Sequence, residues 1–245
     1  MKIATGLLLY AIAGGAMAAE IRVLSAGAVE PGLRAAAAAF QKQSGHSVNI
    51  AFNTAPEIRK RIGAGEAFDV VIAPPAALDE FAGAGKVAAE RANLGRVGMG
   101  VAVRPGAPVP DISSSDALKR SVLAADSIVF NRASSGIYFE NLLKKMEIYG
   151  EVQARTTRYA DGAAVMEHVL KGKGREIGFG PVTEILQHRD KGLKLVGPLP
   201  PEVQNYTSYS AVPMTAAANA EPARSFVRYL GSAEAKALLT AAGVD

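Results

Sequence analysis

The sequence predicts an α/β fold, in which short strands and helices alternate along most of the chain. Runs of β-branched and apolar residues are repeatedly followed by apolar residues at helical spacing. The run 69–73, Asp-Val-Val-Ile-Ala, presents apolar side chains on both faces, as a parallel strand covered by helices does. In folds of this kind, ligands bind beyond the carboxyl ends of the strands.

The first three strand-and-helix units occupy residues 21–84. Strands are predicted at 21–24, 48–52 and 69–73, and helices at 31–44, from 56 onwards and at 76–84. The first junction is Ser-Ala-Gly at 25–27, the second is Asn-Thr-Ala at 53–55, and two prolines end the third strand. The order of strand, short loop and helix therefore recurs.

The composition changes in the middle of the chain. A strand at 97–103 is interrupted by glycines and followed by a segment rich in proline and glycine, which is typical of a domain boundary. Beyond it, helices are predicted at 115–123, 139–146, 163–170, 222–230 and 233–241, and strands at 127–130, 154–157, 176–179, 193–196 and 206–212. We interpret the middle half as a second lobe, at 102–207, inserted into a first lobe made of 20–101 and 208–245.

The loop at 131–138, Asn-Arg-Ala-Ser-Ser-Gly-Ile-Tyr, follows a buried strand and precedes a helix. Such a loop offers backbone N–H groups, serine hydroxyls and the positive end of a helix dipole to an anion. An ordinary helix cap is the alternative interpretation. The recurrence of similar junctions elsewhere in the chain favours an anion site.

Charge and the N-terminal residues restrict the class of protein. The net charge of +4 is spread along the chain and aromatic residues make up 6%, so no nucleic-acid surface is predicted. A basic residue, an apolar run and Ala-Met-Ala at 16–18 predict a cleaved signal peptide at 1–19 and export to the periplasm, with a membrane anchor as the alternative. The absence of cysteine excludes disulfides and thiol catalysis.

Other candidate chemistry is weakly supported. His46, His168 and His188 do not have the spacing of metal ligands, so neither a metal site nor a cofactor is predicted. Ser134 and Ser135 could serve as nucleophiles in a secreted hydrolase, but the Gly-x-Ser-x-Gly elbow is absent. The serine hydrolase is kept as an alternative.

The junction motifs, taken in order, resemble those of the periplasmic solute-binding proteins of ABC transporters, and most closely the molybdate-binding, ModA-type branch. The motifs are Ser-Ala-Gly at 25–27, Asn-Thr-Ala-Pro-Glu-Ile at 53–58, Asp-Val-Val-Ile at 69–72, Ser-Gly-Ile-Tyr at 135–138 and Glu-Ile-Gly-Phe-Gly at 176–180. The resemblance implies a two-lobed type II fold, with each lobe a β-sheet flanked by helices and a two-strand hinge between them. It also implies a monomer that captures a small anion for an ABC permease and is not an enzyme.

The resemblance further implies where the ligand is held: by hydroxyl groups after the first two strands, by backbone amides of the Gly-Ile-Tyr loop and of a later turn, and by a residue after the late strand. The ligand-binding residues predicted on this basis are Ser25, Ala26, Gly27, Thr54, Arg132, Ser134, Ser135, Gly136, Ile137, Tyr138, Asp161, Gly162, Ala163 and Gly180.

Three positions depart from the family pattern. Gly180 stands where a tyrosine is expected, Thr54 replaces the usual serine, and Arg132 adds a cation beside the loop. A wider site with a guanidinium suits a carboxylate better than a compact oxyanion. The ligand therefore stays open between a molybdate-like oxyanion and a small organic acid. A two-lobed sensory module without a transporter is a further alternative.

Overall fold

The computed structural model describes residues 18–245, and the predicted signal peptide therefore lies almost entirely outside the described residues. The strands within this range are β1 Glu20–Ala26, β2 Ser47–Asn53, β3 Val70–Ala73, β4 Ala92–Val103, β5 Ser127–Asn131, β6 Thr156–Tyr159, β7 Glu176–Pro181, β8 Lys194–Pro198 and β9 Tyr206–Pro213. The helices are α1 Glu30–Ser44, α2 Ala55–Gly63, α3 Pro75–Gly83, α4 Ser115–Ala124, α5 Ser134–Lys145, α6 Tyr149–Val152, α7 Gly162–Lys171, α8 Val182–Gln187, α9 Ala220–Leu230 and α10 Ala233–Ala241.

The strands follow the order β2-β1-β3-β9-β4-β7-β5-β6, with β8 beside β4. The β1, β2 and β3 strands are parallel to one another, and so are β5, β6 and β7. Residues 92–98 of β4 pair with β9, whereas residues 99–102 pair with β7. The β4 strand therefore passes from one half of the sheet to the other, and the predicted α/β fold is confirmed.

Each half of the sheet has its own apolar core. In the first half, Phe40 packs against Phe226 of the C-terminal part, with ring centroids 5.0 Å apart. In the second half, Phe139 stacks on Phe179 at 3.8 Å. The α10 helix approaches α1 so closely at Gly32 that a β-carbon there would lie 2.9 Å from the backbone of Leu239. The C-terminal helices thus complete the first half.

Two predicted elements differ in ways that affect the site. The helix predicted from residue 139 begins at Ser134. The Asn131 side chain accepts hydrogen bonds from the amides of Ala133 and Gly136, which stabilises an earlier first turn. The short helix α8 was not predicted, since six residues after Gly180 and Pro181 are too few to show a helical period. Within residues 18–245, no helix has both the length and the apolar character needed to cross a bilayer.

Candidate functional site

A cleft of about 530 Å³ opens between the two halves of the sheet. Its walls include a residue at, or directly after, the carboxyl end of each parallel strand described above. These residues are Ala26, Asn53, Pro74, Asn131, Ala160 and Pro181. The cleft therefore occupies the position at which ligands bind in open α/β sheets.

The wall formed by the first lobe includes the start of α2. Thr54 is the N-cap residue of this helix, yet its side chain makes no capping hydrogen bond. Thr54 and Ala55 both line the cleft, beside Phe52. Because the Thr54 hydroxyl is not used by the helix, it is available to a bound molecule, at the end of the helix where the dipole favours negative charge.

The start of α5 forms part of the opposite wall and is organised by Asn131. The Oδ1 atom of Asn131 accepts hydrogen bonds from the amides of Ala133 at 3.0 Å and Gly136 at 3.1 Å, and Nδ2 donates to the Ser135 hydroxyl at 3.1 Å. A β-carbon at Gly136 would overlap the Asn131 carbonyl oxygen. Among the described residues, the amides of Ser134 and Ser135 have no acceptor.

The start of α7 contributes a second set of amides to this wall. The Asp161 side chain caps the helix by accepting from the Ala164 amide at 2.9 Å. The amides of Gly162 and Ala163 have no acceptor within residues 18–245. Helix starts from both lobes therefore face the same cleft, an arrangement suited to an anion.

Eight of the fourteen predicted site residues line the cleft, and six do not. The eight are Ala26, Gly27, Thr54, Ser134, Ser135, Asp161, Gly162 and Ala163. The six that the structure does not bring to the cleft are Ser25, Arg132, Gly136, Ile137, Tyr138 and Gly180.

The surroundings of each of these six residues explain its position, and Gly136 is buried against the Asn131 carbonyl as described above. Ser25 is fully buried and its hydroxyl donates to the Ala26 carbonyl at 3.1 Å. The Arg132 side chain is exposed, outside the cleft. Ile137 is 49% exposed, and the Tyr138 hydroxyl donates to the Val203 carbonyl at 2.9 Å. Gly180 is buried, and a β-carbon there would lie 3.0 Å from the end of the Met166 side chain, so a larger residue would require that side chain to shift.

The lining residues that were not predicted from sequence include Glu184 and Tyr209. Glu184 lies on α8, and Tyr209 lies on β9 where the two halves of the sheet join. The neighbouring Thr183 hydroxyl donates to the Ala28 carbonyl at 2.6 Å, so α8, which follows a strand of the second lobe, also contacts the first. Glu184 is the third residue of a helix that was not predicted, so no helical pattern marked it. Its position three residues after the end of β7 is the sequence feature that could have indicated it.

The Glu184 carboxyl is unusual among the acidic groups of the cleft. Its Oε2 atom is buried and has no hydrogen-bond partner among the described residues, although the side chain as a whole keeps some exposure. Burial raises the pKa of Glu184 to about 7, with a further contribution from the negative charges of Asp161 and Glu30. Burial and the nearby Glu184 also raise the pKa of the Tyr209 phenol, which stays protonated.

The other carboxyl groups of the cleft have partners. Glu30 pairs with Arg34 at 2.8 Å, Glu57 lies 3.5 Å from Lys60, and Asp161 caps α7. Among the described residues that line the cleft there is no lysine, arginine or histidine. A negatively charged ligand would therefore depend on backbone amides, hydroxyls and a protonated Glu184.

The serine hydrolase alternative finds no support in these contacts. The Ser135 hydroxyl bonds with Asn131. Each histidine is hydrogen-bonded elsewhere: His46 to the Ala19 amide, His168 to the Tyr159 hydroxyl and His188 to the Glu184 carbonyl oxygen. No serine and histidine side chains are hydrogen-bonded to each other within the described range.

Comparison with known proteins supports the fold and corrects one expectation. Residues 21–245 match the family described as bacterial extracellular solute-binding protein. The chain is similar in structure to the periplasmic molybdate-binding protein of Azotobacter vinelandii, with a TM-score of 0.76 and 19% identity over 92% of this chain and 98% of that one. It is also similar to the sulfate-binding protein SubI of Mycobacterium tuberculosis, with a TM-score of 0.74 and 15% identity over 92% and 86% of the two chains. At these identities the similarity shows the fold alone, and it confirms the predicted type II, two-lobed architecture.

A curated relative of higher identity is an enzyme. The aconitate isomerase of a Pseudomonas species is 31% identical over 231 residues, which cover 91% of this chain and 87% of the relative. The prediction that the chain is not an enzyme is therefore wrong, because it rested on a fold that this relative shows to be compatible with catalysis. The match across nearly the whole described chain shows that the protein belongs to the bacterial extracellular solute-binding protein family.

Proposed function

We propose that the cleft binds a small polycarboxylate of the aconitate type and interconverts its isomers. The observation that carries the proposal is the combination of size and lining: about 530 Å³, with helix starts from both lobes on its walls. Pockets of a few hundred Å³ are typical of organic ligands. The relative named aconitate isomerase supports this substrate class.

The acidic groups of the cleft favour an organic acid over a compact oxyanion. The carboxylates of Glu30, Glu57, Asp161 and an ionised Glu184 repel any anion, and a compact oxyanion has only acceptor oxygens to place against them. An organic acid also carries C–H and methylene groups, which can lie against carboxyls and apolar side chains such as Phe52. The helix starts would receive its carboxylates.

The amides at the start of α5 and α7 would hold carboxylate groups of the ligand from one side, and Thr54 with the start of α2 from the other. A ligand that contacts both sides would favour closure of the lobes about the strands β4 and β9, which connect them. The residues predicted from sequence that line the cleft would thus act as binding residues.

Capture of the same anion for an ABC permease is a second candidate function. It is supported by the match of residues 21–245 to a family of extracellular solute-binding proteins. Binding without conversion would be the signature of this role, whereas conversion in solution by the purified protein would indicate an isomerase.

A ligand panel followed by a conversion assay tests the proposal. Thermal unfolding is measured with cis-aconitate, trans-aconitate, citrate, molybdate and sulfate, and the protein is then incubated with cis-aconitate and followed by proton NMR. A ligand at a hundredfold its Kd stabilises the fold by about 2.7 kcal/mol, or about 5–10 °C for a chain of this size. Stabilisation by aconitate with conversion to the trans isomer supports the proposal. Stabilisation by molybdate alone, without conversion, contradicts it.

A further inference from the structure

We infer that Glu184 is the group that moves the proton in this isomerisation, taking it from a carbon atom of the substrate and returning it to another. The inference rests on the proposed function and assigns its chemistry to one side chain. It is drawn from the position of Glu184, from its contacts and from the engagement of every other carboxyl in the cleft.

The Glu184 carboxyl lies between the two lobes, on the wall of the cleft. A β-carbon at Gly27, in the first lobe, would lie 3.6 Å from Oε1, and a β-carbon at Gly162, in the second lobe, would overlap Oε2. Both glycines line the cleft, but only at Gly162 does the absence of a side chain make room for the carboxyl, because a β-carbon at Gly27 would make an ordinary van der Waals contact. A ligand held between the lobes would therefore meet this group.

Structural carboxyls in protein interiors are normally hydrogen-bonded, because an unpaired buried polar group destabilises the fold. The Oε2 atom of Glu184 is buried and has no partner in the described part of the chain. The other three carboxyls of the cleft are each engaged by a cation or a helix amide. Glu184 is therefore the carboxyl of the cleft to which the described residues assign no structural hydrogen bond at Oε2.

The acid strength of the group fits the task. With a pKa of about 7, both the acid and the carboxylate are well populated at neutral pH. A group that must accept a proton and then donate it works best under this condition. The Tyr209 phenol, whose pKa is raised, can donate a proton but is a poor acceptor.

The proposed step conserves atoms and electrons. Aconitate carries three carboxylates, one carbon–carbon double bond and one methylene group next to that bond. The carboxylate of Glu184 takes a proton from the methylene carbon, and the electron pair of the broken C–H bond forms a new double bond to the central carbon. The electron pair of the former double bond then takes the proton from Glu184 and forms a C–H bond at the far carbon. Amides at the starts of α5 and α7 would stabilise the negative charge that develops on the adjacent carboxylate.

The test compares Glu184→Gln with Glu167→Gln, a matched change on the exposed surface of α7 outside the cleft. The Kd for trans-aconitate is measured by calorimetry and the interconversion rate by NMR. We expect Glu184→Gln to bind within about threefold of the wild type and to convert at least about a hundredfold more slowly, since general acid–base catalysis contributes about 10²–10⁴. Glu167→Gln should match the wild type in both.

A third variant, Glu184→Asp, keeps the carboxyl but shortens its reach, and should retain more of the rate than the glutamine. Binding by Glu184→Gln shows that the cleft is intact, so a lost rate cannot be ascribed to misfolding. Conversion by Glu184→Gln at more than a tenth of the wild-type rate, or loss of binding together with the rate, would overturn the assignment and leave the function standing. A wild-type protein that binds but does not convert would overturn the function itself, and the assignment with it.

Discussion

The Oε2 atom of Glu184 occupies the space in which any residue other than glycine at position 162 would place its β-carbon. Gly162 is the first residue of α7, and Glu184 lies on α8, so the start of one helix fixes the location of a side chain on another. The geometry of the cleft therefore depends on the absence of a side chain at this helix start.

Gly162→Ala is expected to displace the Glu184 carboxyl. Because a misplacement of about 1 Å can cost about a hundredfold in rate, conversion of cis-aconitate should fall by at least about tenfold. The control is Gly150→Ala in α6, where a β-carbon meets nothing within 4 Å. Rate measurements on both variants decide the matter: equal rates would mean that the position of Glu184 is unimportant.

The pH dependence of stability offers a measurement without ligand. The pKa of Glu184 is raised in the folded state, so the folded protein holds more protons than the unfolded chain between about pH 4.5 and 7. Stability should therefore fall as pH rises through this window, by up to about 3 kcal/mol. In Glu184→Gln this contribution is absent, so the variant should gain stability relative to the wild type between pH 5 and pH 8. If the difference in unfolding free energy between the wild type and Glu184→Gln is the same at pH 5 and pH 8, the shifted pKa is contradicted.

A substitution at Asp161 should change the pKa of Glu184. The groups that act on the Glu184 carboxyl are Asp161 and Glu30, with the protonated Tyr209 beside it. Asn caps a helix about as well as Asp does, so Asp161→Asn should keep α7 while removing one negative charge. The pKa of Glu184 should fall, and the pH dependence of stability should shift towards acid. An unchanged profile would show that Asp161 does not influence Glu184.

Thr54→Ala should weaken binding without weakening the fold. A hydrogen bond to a charged group contributes about 1.5–3 kcal/mol, so the Kd for trans-aconitate should rise by about tenfold or more. Apo stability should change little, because the Thr54 side chain does not cap α2. Ser114→Ala is the matched control: Ser114 caps α4 by accepting from the Ala117 amide at 3.2 Å, so its loss should cost about 1 kcal/mol of stability and leave binding unchanged. A loss of apo stability in Thr54→Ala with an unchanged Kd would show that Thr54 does not contact the ligand.

Arg132→Ala should have little effect on binding. The side chain is exposed and lies outside the cleft, so its removal should take no contact from the ligand and should change the Kd by less than about twofold, or about 0.5 kcal/mol. Calorimetry with trans-aconitate provides the check. A loss of tenfold or more would show that the arginine reaches the ligand when the lobes close.

The alternating pattern was sufficient to place the cleft, because strand ends and helix starts are marked by small residues, prolines and caps. Ser134 was predicted from the pattern of strand, loop and helix at 131–138, whereas Thr54 and Asp161 were predicted from the family resemblance, and all three line the cleft. Arg132 lies outside the cleft, a position that the sequence could not show because the direction of a side chain just after a strand depends on the turn that follows. Glu184 was missed because its helix is too short to show periodicity, and its pKa arises from neighbours that are distant in sequence.

The most direct test of the central claim is a crystal structure of the protein with tricarballylate, the saturated tricarboxylate that resembles aconitate but cannot isomerise. We expect the ligand between the lobes, with carboxylates at the starts of α2, α5 and α7. The Glu184 carboxyl should lie within about 3.5 Å of an atom of the ligand's carbon chain. A ligand bound outside the cleft, or inside it with Glu184 separated from the carbon chain by other groups, would contradict the account.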